Sequence, residues 1–295
     1  MSAPDLNKIK ELRNITDAPF VDCKKALEAS AYDIQKAIAW LQENGKAKAI
    51  KKAGRIAAEG LVYAIKNDKK IVIFELNSET DFVAKNKNFI SLKDEIATLL
   101  LENNFNNLDQ AFEIKSGSGK TISDLVTDAS ATLGEKISLR RVEFVLISNG
   151  QNAGSYVHFN GQTSAIAVIE GGSKEVARNV CMHSVAMNPE FTFESEIPVD
   201  KLNKIKSDLS QSPALVGKPE NIQQSIITGM LAKELSKFVL EYQPFVVESE
   251  ISVAKYLQNN NAKLIKIIRF EVGEGIEKVV SNFSEEVKNQ IENSK

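Results

Sequence analysis

The sequence predicts an α+β protein. It is expected to have an N-terminal module of three short helices, a core of two similar hairpin-plus-helix halves, a helical hairpin inserted in the second half, and a C-terminal helix. Three observations carry this. Residues 5–45 place their apolar residues at helical spacing. From Gly60 the period changes, and a hairpin leading into a helix occurs twice, over residues 61–102 and again from Ser155 to beyond Lys174. Between Pro198 and Pro244 the spacing is helical once more. The two halves share element order and little residue identity, so each is expected to need the other, or an extra strand, to cover its sheet.

In chain order, Leu6, Ile9 and Leu12 line the first helix, Phe20, Cys23 and Leu27 the second, and Ile34, Ala37, Ile38 and Leu41 the third. Thr16-Asp17-Ala18-Pro19 supplies a turn and cap before the second, and Ser30 with Asp33 forms a capping-box pattern before the third. Gly45 to Arg55 is a basic stretch bracketed by glycines, expected to be a partly helical, solvated linker. Leu61–Ile65, a turn at Lys66–Lys69 and a strand over 70–76 make the first hairpin. Ser155–Phe159, a turn at Asn160-Gly161-Gln162 and Ser164–Ile169 make the second. Arg141–Ile147 and Leu264–Phe270 are the candidate extra strands. Val199, Leu202, Ile205 and Leu209, then Ile222, Ile226, Ile227, Leu231 and Leu235, mark two helices across a Pro/Gly loop, an antiparallel pair. Ile276, Val279, Val280, Phe283 and Val287 mark the final amphipathic helix. The expected divisions are 1–54, 55–147, 148–272 with the insertion at about 198–244, and 273–295.

Composition narrows the function. A chain of 295 residues, 43% hydrophobic, can build two or three domains and bury roughly 75% of its unfolded surface. A net charge of −2 gives no whole-chain reason to bind a polyanion, and no aromatic is interleaved with the lysines of 46–52, so nucleic acid is not the expected partner. Two cysteines, Cys23 and Cys181, suit a reducing compartment. Met1 to Leu6 lacks a basic segment followed by an apolar core, and no run of ~18 apolar residues occurs, so a soluble cytoplasmic protein without membrane contact is expected.

Chemistry is sparse. Ser116-Gly117-Ser118-Gly119-Lys120-Thr121 imitates a phosphate-binding loop, but that pattern needs a glycine where Ile114 stands. Thr121 with Asp124 reads instead as a capping box for a helix carrying Ile122, Leu125, Val126, Ala129 and Leu133 and closing at Gly134. His158, His183, Cys23 and Cys181 are the only soft ligands. Cys181 and His183 lie two apart on a helix and share no face. No metal site is expected. His183 reads as a hydrogen-bonded structural histidine, and His158, at a strand end, as one that reaches a surface.

The contact residues are expected at Ser78-Glu79-Thr80-Asp81-Phe82-Val83-Ala84-Lys85, where an acid and a large aromatic stand at a strand-to-helix corner. On local pattern alone Phe82, seven residues before Phe89, could equally continue the helix's buried stripe with Leu92, Ile96, Leu99 and Leu100. A resemblance favours the corner. Asn77 to Asn86 resembles the signature of bacterial elongation factor Ts. Leu12-Arg13 with Asp22-Cys23-Lys24-Lys25-Ala26-Leu27, Gly54 to Val62, and Arg269 to Lys278 resemble its N-terminal, core-opening and closing motifs, in the family's order.

The resemblance implies an N-terminal ubiquitin-associated-like module and a non-enzymatic exchange factor. Such a factor binds elongation factor Tu in its GDP form and promotes exchange of GDP for GTP, without binding nucleotide itself. Thr80, Asp81, Phe82 and Val83 would disturb the Mg²⁺ and phosphate site of the GTPase, and Arg13 and His158 would supply further contacts. The 198–244 hairpin leaves self-association open. Asp17, Pro19, Phe20 and Val21 depart from the family's glycines and methionines at the second helix. The runner-up readings are a helical adaptor, resting on the 198–244 hairpin, and a P-loop-like nucleotide-binding protein, resting on Gly117–Thr121.

Overall fold

A computed structural model describes residues 6–16 and 18–277. Asp17 and the final helix expected over Val279, Val280, Phe283 and Val287 lie outside them. Among the described residues the protein is a mixed α/β structure with two three-stranded antiparallel sheets. No helix among them is long and apolar enough to cross a membrane.

The chain opens with α1 (Leu6–Thr16), α2 (Phe20–Ala29) and α3 (Ile34–Lys52). Ile9, Leu12, Cys23, Ala26, Leu27 and Ala37 form their shared core. Two local expectations change. Ser30 ends α2 rather than capping α3, and Asp33 takes the capping role, its carboxylate accepting the Lys36 N–H at 3.0 Å. Ala31 and Tyr32, both at positive φ, turn the chain between the two helices. The expected linker is helical through Lys52. Gly45 lies so close to the neighbouring helix that a Cβ there would sit 2.5 Å from the Ala131 Cβ. Glycine at that position serves helix packing rather than flexibility.

The first sheet pairs β1 (Glu59–Lys66) with β2 (Lys70–Ser78), and β2 with β3 (Ser138–Leu146). Between β2 and β3 run α4 (Asp81–Ala84), α5 (Lys87–Glu102), α6 (Leu108–Phe112) and α7 (Ile122–Leu133). The second sheet pairs β4 (Gln151–Val157) with β5 (Thr163–Gly171), and β5 with β6 (Ala262–Glu271). After β5 come α8 (Lys174–Met187), α9 (Val199–Ser210), α10 (Glu220–Leu235) and α11 (Val253–Asn259). Sequence reading gave α6 and α11 no element of their own.

Both central strands are buried on both faces, which is why they read as unbroken apolar runs. Val72, Phe74 and Leu76 of β2 meet Phe89, Leu92 and Ile96 of α5 and Ile122 of α7. The alternate residues Ile71 and Ile73 meet Ile166 and Val168 of β5 and Phe270 of β6. In turn Ala165, Ala167 and Ile169 of β5 face Ala177, Val180 and Cys181 of α8. The sheets therefore pack face to face, with helices on the outer sides. Cys181 is a core residue here, and burial pushes its thiol pKa well above the ordinary value.

Strand β2 also carries a carboxylate into the interior. Glu75 is fully buried, and its carboxylate accepts from Arg140 at 3.0 Å, the Asn77 amide at 2.9 Å and the Gly273 N–H at 2.8 Å, with Arg141 Nε as a further donor. A buried carboxylate needs such a full set of donors. Arg141 reaches on to the Glu271 carbonyl at 2.8 Å, so the strand leading to the corner is tied to the segment that closes β6.

Candidate partner-binding corner

β2 ends at Ser78, and two residues later Thr80 caps the single turn α4, its hydroxyl accepting the Val83 N–H at 3.4 Å. The helix does not continue. Asn86 is extended, with φ −71° and ψ 141°, and its side chain caps α5 by accepting the Asn88 N–H at 2.8 Å. That non-helical residue resets the helical phase, so Phe82 and Phe89 do not share a face. Phe89 is fully buried and Phe82 is 82% exposed. The expected corner is a separate turn ahead of the helix, and the alternative reading of Phe82 as part of the buried stripe fails.

The other corner residues divide the work. Val83 is half-buried and packs on the first-sheet core, while Ala84 is buried within it. Asp81 pairs with Lys85 one turn on at 2.6 Å, and that hydrogen bond from the ammonium holds its carboxyl below the ordinary carboxylate pKa. Thr80 is gripped from outside. Its N–H and hydroxyl both donate to the Glu135 carboxylate, at 2.9 and 2.7 Å. The neighbouring Glu79 accepts the Lys136 N–H at 2.6 Å and pairs with Arg55 at 3.2 Å, while Lys136 Nζ donates to the Arg55 carbonyl at 2.8 Å.

His158 lies at the turn between β4 and β5, half-buried, its Nδ1 3.0 Å from the Asn160 side-chain oxygen. The turn is placed near the corner's root: the Gly161 carbonyl accepts the Val62 N–H at 2.8 Å, and β1 pairs its first residue, Glu59, with Ser78. Arg13 is exposed in the last turn of α1. Sequence reading passed over Phe159, whose ring lies 4.5 Å from that of His158 and which is 93% exposed. It also passed over Glu135 and Lys136. An acid after a helix-closing glycine carries no local sign that it will cap a turn 55 residues away.

His183 is fully buried. Its Nε2 is 3.0 Å from the Gln243 side-chain oxygen, and Nδ1 accepts the Val246 N–H at 3.3 Å, an arrangement that suits the neutral imidazole. The Gly-rich loop is closed on itself. The Ser116 N–H donates to the Lys120 carbonyl at 2.8 Å, the Gly119 N–H to the Ser116 carbonyl at 2.9 Å, and Lys120 Nζ to Asp128 at 2.6 Å. Thr121 and Asp124 form the expected reciprocal capping box, and Gly134 ends α7 at φ 79°. The lysine and part of the backbone that would cradle a phosphate are thus occupied within the protein.

Known proteins speak to the same assignment. The family model described as Elongation factor TS matches residues 79–274. Elongation factor Ts of Mycoplasmopsis pulmonis (strain UAB CTIP) is 53% identical over 283 residues, 96% of each chain. Elongation factor Ts of Mesomycoplasma hyopneumoniae (strain 7448) is 51% identical over 290 residues, 97% of this chain and 96% of the relative. Elongation factor Ts of Mycoplasma mobile is 48% identical over 98% of this chain and 99% of its own. With half of the residues shared along nearly the whole length, and the family model matching residues 79–274, the chain belongs to the elongation factor Ts family of translation factors.

Proposed function

We propose that this protein binds elongation factor Tu in its GDP form and promotes exchange of GDP for GTP, without binding nucleotide or catalysing a reaction itself. The observation that carries the reading is Phe82, 82% exposed on a one-turn helix whose cap is held from outside. A large apolar side chain held in water by a fixed turn is suited to entering a partner. Burying it there contributes roughly 1.5–3 kcal/mol, enough to favour a distorted GTPase by about tenfold to a hundredfold. Linkage requires that a factor which weakens nucleotide binding is itself bound more weakly when nucleotide is present.

In this reading Thr80 fixes the turn and Phe82 is the wedge beside the Mg²⁺ and phosphate site of the GTPase. Asp81 brings charge to the disturbed metal ligands, and Val83 roots the turn in the core. Arg13 and His158 supply affinity away from that site. The working division is a ubiquitin-associated-like module over 1–54, two core subdomains over 55–147 and 148–272, with α9 and α10 as the inserted hairpin, and a C-terminal module over 273–295. The protein acts in the cytoplasm, where its partner is, and the hairpin offers a surface for self-association. The test is the rate at which labelled GDP leaves elongation factor Tu with and without the protein, beside a titration of the protein alone with fluorescent GDP. Acceleration without direct nucleotide binding is the expected result. An unchanged off-rate overturns the reading, and direct binding revives the phosphate-loop alternative.

A further inference from the structure

We propose that the loop Gly134-Glu135-Lys136 sets the direction in which Phe82 projects, with Glu135 as the positioning residue. The inference rests on the corner being the part that enters the GTPase. A four-residue helix such as α4 does not hold itself, because one turn fixes several backbone angles for a single hydrogen bond. Its order has to come from outside, and the Glu135 carboxylate supplies it, accepting from both the N–H and the hydroxyl of Thr80. These are charge-assisted bonds to the residue that caps the turn.

The loop is itself fixed at both ends. Gly134 closes α7 in the left-handed region, and β3 begins at Ser138. Lys136 adds a second hold one residue before Thr80, through its N–H to Glu79 and its Nζ to the Arg55 carbonyl. On the opposite side Lys52 Nζ, from the end of α3, donates to the Gly134 carbonyl, and a Cβ on Gly134 would lie 3.3 Å from Pro19, the residue that opens α2. One short loop therefore bonds to the last turn of α3 and to the root of the corner. A wedge fixed before contact loses less freedom on binding than one that has to be ordered by its target.

The test uses the full chain as wild type, Glu135→Ala and Glu135→Gln, with two readouts. The first is amide hydrogen exchange at residues 80–84 in the free protein. The second is the rate of GDP release from elongation factor Tu as a function of factor concentration. Glu135→Ala is expected to raise exchange across the turn and to lower the saturating rate at least roughly tenfold, the lower end of what a single charge-assisted bond contributes. Glu135→Gln can still accept the Thr80 N–H and donate to its hydroxyl, so it is expected to restore both readouts toward wild type. Unchanged exchange and an unchanged saturating rate in a folded Glu135→Ala protein overturn the proposal, as does a defect confined to the concentration midpoint. Should Glu135→Ala not fold, Glu135→Asp, which draws the carboxylate back by one methylene and leaves the Thr80 hydroxyl capping Val83, carries the same readouts. If wild type itself fails to speed GDP release, the exchange-factor reading falls, while hydrogen exchange still decides whether Glu135 orders the turn.

Discussion

The Glu135 carboxylate accepts two hydrogen bonds from Thr80, at 2.9 Å from its N–H and 2.7 Å from its hydroxyl, across 55 residues of chain. It converts a turn too short to persist alone into a fixed mount for Phe82, and it separates what the mount does from what the wedge does.

Phe82→Ala removes the wedge and leaves the mount. The saturating rate of GDP release should fall about tenfold, the lower end of what burying a phenylalanine contributes. Because Phe82 is 82% exposed, unfolding free energy in urea should change by no more than about 0.5 kcal/mol. A loss of several kcal/mol would mean that the ring is buried in the free protein.

Lys120→Ala and Thr121→Ala should both leave GDP release near wild type. Lys120 ends on Asp128 at a partly exposed ion pair, whose loss should cost within about 1 kcal/mol. Thr121→Ala removes one half of the capping box of α7 and should cost about 1 kcal/mol by denaturant titration. Abolished exchange in a folded Lys120→Ala protein would make the Gly-rich loop a working site.

Stability should fall on mild acidification because of His183. Burial lowers its pKa below the ordinary imidazole value, so the unfolded chain takes up a proton at a pH where the folded chain still resists it. Its contribution is complete above about pH 6.5 and is lost as the pH drops through that value, levelling once the folded imidazole titrates. Melting temperatures between about pH 7.5 and pH 5.5 should decline, and His183→Gln should flatten that decline whatever its effect at neutral pH. An equal slope in both proteins would place the proton uptake elsewhere.

Deleting residues 1–54 should weaken binding to elongation factor Tu at least about tenfold, since a tethered contact adds affinity through effective concentration. The saturating rate should be largely kept, because Glu135, Thr80 and Phe82 all lie beyond the deletion. The melting temperature should nevertheless fall by a few degrees, as Ala131 loses Gly45 and the Gly134 carbonyl loses Lys52. A midpoint shift with a preserved plateau supports this division, and a plateau at the spontaneous rate in a folded core gives the N-terminal helices a part in the distortion.

By itself the sequence determined the elements whose signal is local. The runs 71–76 and 164–169 became β2 and β5 because continuous apolar chain suits a strand covered on both faces. Thr121, Asp124 and Gly134 started and stopped α7 as read, since caps act within a turn of their own position. Motif order along the chain pointed to the family. Tertiary structure decided the rest. Whether Phe82 continued the stripe of Phe89 depended on Asn86 leaving the helical phase, and how far the partly helical 45–55 stretch packs as helix is tied to Ala131 lying against Gly45. Glu135 acquired its role only when the end of α7 came beside the end of β2. Pairings across 55 or 82 residues leave no periodicity in the sequence, because they are fixed by how the sheets and helices pack and not by the spacing of neighbours.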